Sequence, residues 1–100
     1  MILYIDTKDQ KVVRVSLKKN GKVVSSRTSE NEYGSQVLLP LILKLLQTSN
    51  YGLKDLQGIE VEKGPGSFTG LRVGVSVANA LAYSLNIPVN GKKLEVELSY

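Results

Sequence analysis

Cysteine, histidine and tryptophan are absent from this 100-residue sequence, and methionine and phenylalanine occur once each. Without cysteine there is no disulfide and no thiol nucleophile, and without histidine no imidazole base. The two absences together remove the usual zinc ligands. Any catalysis would have to run on carboxylates, hydroxyls, lysines or backbone amides. Long apolar runs are missing too. The longest, Val37 to Leu46, is interrupted by Pro40 and Lys44 and falls far below the ~20 residues that a bilayer crossing requires. No basic segment followed by a cleavable apolar stretch marks the start of the chain. The expectation is a soluble, cytoplasmic protein without membrane contact.

What is present describes an ordinary globular domain. The sequence is 42% hydrophobic and 22% charged, with enough Val, Ile and Leu to build a core, so wholesale disorder is excluded. A chain this short has room for one domain, residues 1–100, with one modest core. The net charge is +4 and the pI about 9.4. The lysines are scattered along the chain, which reads as solvated surface, with contact to RNA or an acidic partner as the alternative.

Ile2 to Ile5 is a compact apolar run closed by Asp6-Thr7, the pattern of a buried strand ending in a polar turn. Val13, Val15 and Leu17 alternate with Arg14, Ser16 and Lys18, the period of a half-buried strand. Asn20-Gly21 then supplies the two positive φ angles of a type I′ hairpin, so Lys22 to Thr28 should return antiparallel. After a polar loop, Ser35 can cap a helix running to about Thr48. Pro40 fits if that helix begins nearer Leu38, because a proline in the first turn loses no intrahelical bond. Ile59 to Glu62 predicts a fourth strand, about Leu71 to Leu85 a second helix, and Pro88-Val89-Asn90 a fifth strand. The predicted fold is α/β, with a mixed five-stranded sheet and the order βββαβαβ.

Three features carry possible chemistry or binding. At about 100° per residue, Leu38, Leu39, Leu41, Ile42, Leu43, Leu45 and Leu46 cover an arc of roughly 200° of the first helix, about twice what one sheet face needs. The surplus predicts a second packed surface, either the other helix or another subunit. On the second helix, Leu71, Gly74, Val75, Val77, Ala78, Leu81, Ala82 and Leu85 form a sheet-facing side. Arg72, Ser76, Asn79 and Tyr83 line the opposite side at i, i+4, i+7 and i+11, which suits either solvent or a protein interface. The candidate interface is therefore Leu38, Leu41, Ile42 and Leu45 at its apolar centre, with Arg72, Ser76, Asn79 and Tyr83 nearer the rim.

The third feature is Gly64-Pro65-Gly66-Ser67-Phe68-Thr69-Gly70, a glycine-dense turn between a strand and a helix, where amides and the positive end of the helix dipole converge. Gly64, Gly66, Ser67, Thr69 and Gly70 could hold an anion there, or the glycines could serve only a tight turn. The segment lacks the Gly-Lys-Ser/Thr of a Walker A loop and completes no dinucleotide fingerprint. Asp6-Thr7 could face a metal-bound phosphate, or Asp6 could cap nearby amides at a strand-ending turn.

Taken in order, Ile2 to Thr7, Leu38 to Ile42, Gly64 to Gly74 and Leu85 to Val89 resemble the N-terminal domain of the TsaB (YeaZ) family. The likeness extends from Met1 to about Leu94. It implies an actin-like, Hsp70-like (ribonuclease H-like) half-domain and a role in forming threonylcarbamoyladenosine at A37 of tRNA. That role is one of a non-catalytic accessory subunit without a cofactor, pairing with a TsaD-like enzyme by packing two helices of each partner into a four-helix bundle. tRNA would be met only through the complex, and a homodimer would form when the partner is absent. The alternative is a nucleotide- or phosphate-binding remnant of a sugar-kinase-like phosphotransferase, using Asp6 and the Gly64 to Gly70 turn. Family members usually continue into a second domain of similar size.

Overall fold

The computed structural model describes residues 1–9, 11–30 and 34–93, and for residues 34 and 35 the backbone alone. Three strands open the chain: β1 (Ile2–Asp9), β2 (Val12–Lys19) and β3 (Lys22–Glu30). Asn20 and Gly21 both take positive φ, 55° and 80°, as the predicted hairpin requires. Leu17 pairs with Ser25 and Lys18 with Val23, so Val24 is an extra residue that bulges the edge strand.

Helix α1 (Gly34–Thr48) follows, then strand β4 (Gly58–Val61) and helix α2 (Phe68–Leu85). The sheet order is β3-β2-β1-β4. The first three strands are antiparallel, and β4 lies parallel to β1 with Leu3 opposite Ile59 and Ile5 opposite Val61. Helix α1 packs on β2, β3 and α2, while α2 packs on β1, β4 and α1. Alternation along the strands sends Leu3, Ile5, Val13, Val15, Leu17, Ile59 and Val61 into one core with Leu38, Ile42, Leu45, Val75, Ala78 and Ala82. Each fully buried aliphatic side chain contributes about 1.5–3 kcal/mol to folding. No described helix is long and apolar enough to cross a membrane.

The mixed sheet with an antiparallel edge is as expected, but the described residues form four strands and not five. Val89 makes one isolated parallel bridge to Ile59, with the Ile59 amide donating to the Pro88 carbonyl and the Asn90 amide to the Ile59 carbonyl, and a second isolated bridge, antiparallel, to Lys92. Asn90 and Gly91 then take φ of 50° and 76°, turning the chain away from the sheet after that single rung. Pairing continues through a side chain: the Asn90 carboxamide accepts from the Val61 amide at 2.9 Å and donates to its carbonyl at 3.1 Å.

Pro40 also departs from expectation. Helix α1 begins at Gly34, so Pro40 lies in its interior. The intrahelical bond it cannot make belongs to the carbonyl of Gln36, and both residues lie on the exposed side, where water can reach that group.

Candidate functional site

The glycine-rich turn is built against the end of β1. Ser67 caps α2, its side chain accepting from the Gly70 amide at 3.2 Å while its own amide donates to the Lys8 carbonyl at 2.7 Å. The Leu71 amide donates to the Ser67 carbonyl at 2.9 Å. Three amides at the mouth of the helix are thereby used inside the chain. The glycines answer a steric need. A β-carbon on Gly66 would stand 2.6 Å from the Lys8 carbonyl oxygen, and one on Gly70 or Gly74 would overlap the carbonyl or hydroxyl oxygen of Thr7. Bare backbone at these three positions lets α2 lie directly on Thr7-Lys8.

Asp6 does not join this turn. Alternation along β1 sends Thr7 to the helix side and Asp6 to the opposite, open face. There its carboxylate accepts from the Lys8 amide at 3.1 Å and lies 3.9 Å from the Lys8 ammonium. It lines a shallow groove of about 220 Å³ with Lys8, Asp9, Val12 and Arg14. Among the described residues no three acidic side chains come close enough to hold a metal ion. Gly64, Gly66 and Ser67 thus lie in the turn, with Thr69 and Gly70 following in the first turn of α2, but the Asp6 carboxylate is turned away from them.

On the open face, Tyr4 donates to the Glu62 carboxylate at 2.6 Å, and the Lys18 ammonium lies 4.5 Å from the Tyr4 ring centroid while pairing with Glu60 at 3.0 Å. Burial, the hydrogen bond to Glu62 and the nearby Asp6 charge together push the Tyr4 phenol well above its ordinary range. Sequence reasoning missed this cluster because Tyr4, Lys18, Glu60 and Glu62 meet only when β1 is paired on both sides.

The candidate interface residues separate into two groups. Leu38, Ile42 and Leu45 are at most 1% exposed and belong to the chain's own core, so they cannot form the apolar centre of a contact with another molecule. The physical reason is that the middle of the apolar arc faces the sheet, leaving only its flanks available. Leu41 is half-buried. On the surface instead stand Leu39 and Leu43, 45% and 46% exposed and one helical turn apart, which the sequence analysis placed in the arc but not at the interface. Arg72, Ser76 and Tyr83 are exposed as expected, and Asn79 is half-buried. Phe68 extends their stripe by one turn, exposed, with the Arg72 guanidinium 5.1 Å from its ring centroid.

Comparison with known proteins agrees with this architecture. The family described as "TsaD: tRNA N6-adenosine threonylcarbamoyltransferase" matches residues 7–91. The "tRNA threonylcarbamoyladenosine biosynthesis protein TsaB" of Bacillus subtilis is 36% identical over 89 residues, covering 89% of this chain and 39% of that protein. The protein of the same name from Escherichia coli is 34% identical over 90 residues, covering 90% of this chain and 38% of its own length. Among solved structures, YeaZ from Pseudomonas aeruginosa superposes with a TM-score of 0.79 at 32% identity, over 96% of this chain and 42% of that one. The chain thus spans about two-fifths of the length of the relatives it matches. The TsaD-type match over most of the chain, with the TsaB and YeaZ likeness across the same residues, shows that the chain belongs to the TsaB (YeaZ) branch of the TsaD family.

Proposed function

We propose that this chain is a non-catalytic partner of a TsaD-like enzyme in forming threonylcarbamoyladenosine at A37 of tRNA. The observation that carries the reading is the match of about nine-tenths of the chain to proteins named for that biosynthesis. A partner role is supported by the outer surface of the helix pair. Leu39 and Leu43 on α1, and Phe68, Arg72, Ser76 and Tyr83 on α2, offer apolar, aromatic and hydrogen-bonding groups on two helices already packed side by side. Two helices of a partner laid against them would complete a four-helix layer. A second copy could do the same by two-fold symmetry when the enzyme is absent. The non-catalytic part of the reading rests on the lack of histidine and cysteine and on the internal use of the Ser67, Gly70 and Leu71 amides at the mouth of α2.

Co-purification of the chain with a TsaD-like protein tests this. The double substitution Leu39→Asp with Leu43→Asp is expected to abolish the complex, and to shift any homodimer to monomer in sedimentation equilibrium. Far-UV circular dichroism should be unchanged, because neither leucine belongs to the core. Co-purification undiminished by the double substitution would overturn the reading.

A further inference from the structure

Charge is sorted by the fold. In the 15 residues of α1 the one charged side chain is Lys44, and in the 18 of α2 it is Arg72. Across the whole chain 22% of residues are charged, so these two helices carry far less charge than a solvated helix layer would. Neither helix holds an acidic residue. Among the described residues the carboxylates gather on the other side of the sheet. Glu60 and Glu62 stand with Tyr4 on the open face, Asp9 lines the groove beside Asp6, and Glu30 pairs with Val12 of that same groove. Asp55 lies apart from them in the turn after α1, where it accepts from the Gly52 amide at 2.8 Å.

The two helix cations lie on the exposed side of the helix pair. Arg72 belongs to the stripe of Phe68, Ser76 and Tyr83, with its guanidinium 5.1 Å from the Phe68 ring centroid. Lys44 is exposed about 100° round α1 from Leu43, at the edge of the apolar face that Leu39 and Leu43 form. Among the described residues no ion pair engages either cation. The same side of the sheet adds further cations at its edge. Arg27 pairs with core-facing Val15, and Lys19, two residues beyond core-facing Leu17, faces Lys22.

We propose that the outer face of the α1–α2 pair selects a protein surface that is apolar at its centre and carries carboxylates at its rim, and that Arg72 and Lys44 discriminate it from a second copy of this chain. This choice of occupant rests on the partner role proposed above and adds the charge that the partner must bring. A guanidinium pairs with a carboxylate by two parallel hydrogen bonds, and an ammonium attracts one as a point charge. The apolar groups supply the centre of the contact, while the charges set which partner is accepted. Two copies joined by a two-fold axis would bring the Arg72 and Lys44 of both into one interface, with no anion in either helix pair to answer them. That repulsion counts against self-pairing. A nucleic acid would need a dense array of cations, and this face is built mainly from Leu39, Leu43, Phe68 and Tyr83.

Sedimentation equilibrium on the full chain tests the proposal, with a charge-reversed copy as the probe. The double variant Lys44→Glu, Arg72→Glu changes only exposed side chains, and far-UV circular dichroism checks that its fold is kept. An equimolar mixture of this variant with wild type is expected to associate roughly tenfold or more tightly at low salt than either protein alone. The single variant Arg72→Glu should show a smaller gain of the same sign. In about 0.5 M salt, where charges are screened beyond a few ångströms, the gain should shrink to less than about twofold. Lys11→Glu with Lys54→Glu makes the same change in net charge at two exposed lysines outside both helices, and its mixture with wild type should gain less than about twofold. A charge-reversed mixture no tighter than wild type alone would overturn the proposal, as would a gain that persists in high salt or an equal gain with the control variant. Capture of a TsaD-like protein is scored separately. Its loss in Lys44→Glu, Arg72→Glu supports the proposal. Capture that survives this variant but is lost in Leu39→Asp, Leu43→Asp overturns the charge selection and leaves the partner role standing. Charge-dependent association in the mixture, without capture by wild type, overturns the partner role alone.

Discussion

Thr7 and Gly70 are locked together across 63 positions of sequence: the Thr7 hydroxyl donates to the Gly70 carbonyl at 2.6 Å, and a β-carbon on Gly70 would overlap the Thr7 carbonyl oxygen. The hydroxyl is buried, so this bond fixes the start of α2 on the end of β1 without help from water. Gly74 continues the contact one turn later against the Thr7 side chain.

The two glycines are expected to respond differently to alanine. At Gly70 the obstruction is backbone that cannot step aside, and Gly70→Ala should cost about 3 kcal/mol, the upper end of ordinary overpacking. At Gly74 the obstruction is the Thr7 hydroxyl, which a second substitution can remove. Thr7→Ala with Gly74→Ala should therefore be more stable than the sum of the two single losses predicts, by about 1 kcal/mol or more. Urea denaturation of the four proteins in that cycle checks it. Strict additivity would mean that Gly74 is not held by Thr7.

Much of this arrangement was legible in the sequence wherever the information is local. Asn20-Gly21 marks a hairpin through its own backbone preference, and the small-residue side of α2 follows from helical spacing alone. Leu38 and Leu39 were not separable, because adjacent leucines have the same chemistry and only the seating of α1 on the sheet decides which one is wet. The glycine-rich turn was located correctly, yet its purpose depends on Thr7 and Lys8, some sixty residues earlier, which no local pattern encodes. Ser67 was a readable helix cap, and recognising it would have placed the start of α2 at Phe68 in place of Leu71. The fifth strand failed because Val89 has the right residue type but Asn90 and Gly91 turn the chain at once.

Asn90 offers a second prediction, since its carboxamide satisfies both the amide and the carbonyl of buried Val61. Asn90→Ala leaves both groups without that partner and places alanine at positive φ, for a loss of about 2–4 kcal/mol. Asn90→Gly relieves the backbone but not the hydrogen bonds, and is expected to fall between wild type and alanine. Hydrogen exchange at the Val61 amide separates the effects: it should speed up in both variants. Protection equal to wild type would show that the side chain is not what closes this end of the sheet.

The Tyr4 phenol gives a prediction in pH. Burial, the hydrogen bond to Glu62 and the Asp6 charge all disfavour the phenolate, so in the folded chain Tyr4 titrates well above the value near 10 that it has when unfolded. The folded state therefore binds the proton more tightly than the unfolded state. The resulting stability is fully present below about pH 10 and is lost as pH rises above it toward the folded value. Two measurements follow. Ultraviolet titration of phenolate should show a late step, above the ordinary range, that vanishes in Tyr4→Phe. In Glu62→Gln the carboxylate charge is gone but an acceptor oxygen remains, so the late step should move to lower pH while staying above the ordinary tyrosine value near 10. Wild type should also lose stability between pH 10 and pH 11 more steeply than Tyr4→Phe, because the variant has no proton to lose at that position. A wild-type titration with no late step to lose in Tyr4→Phe would mean that the Tyr4–Glu62 bond on the open face of the sheet does not persist in solution.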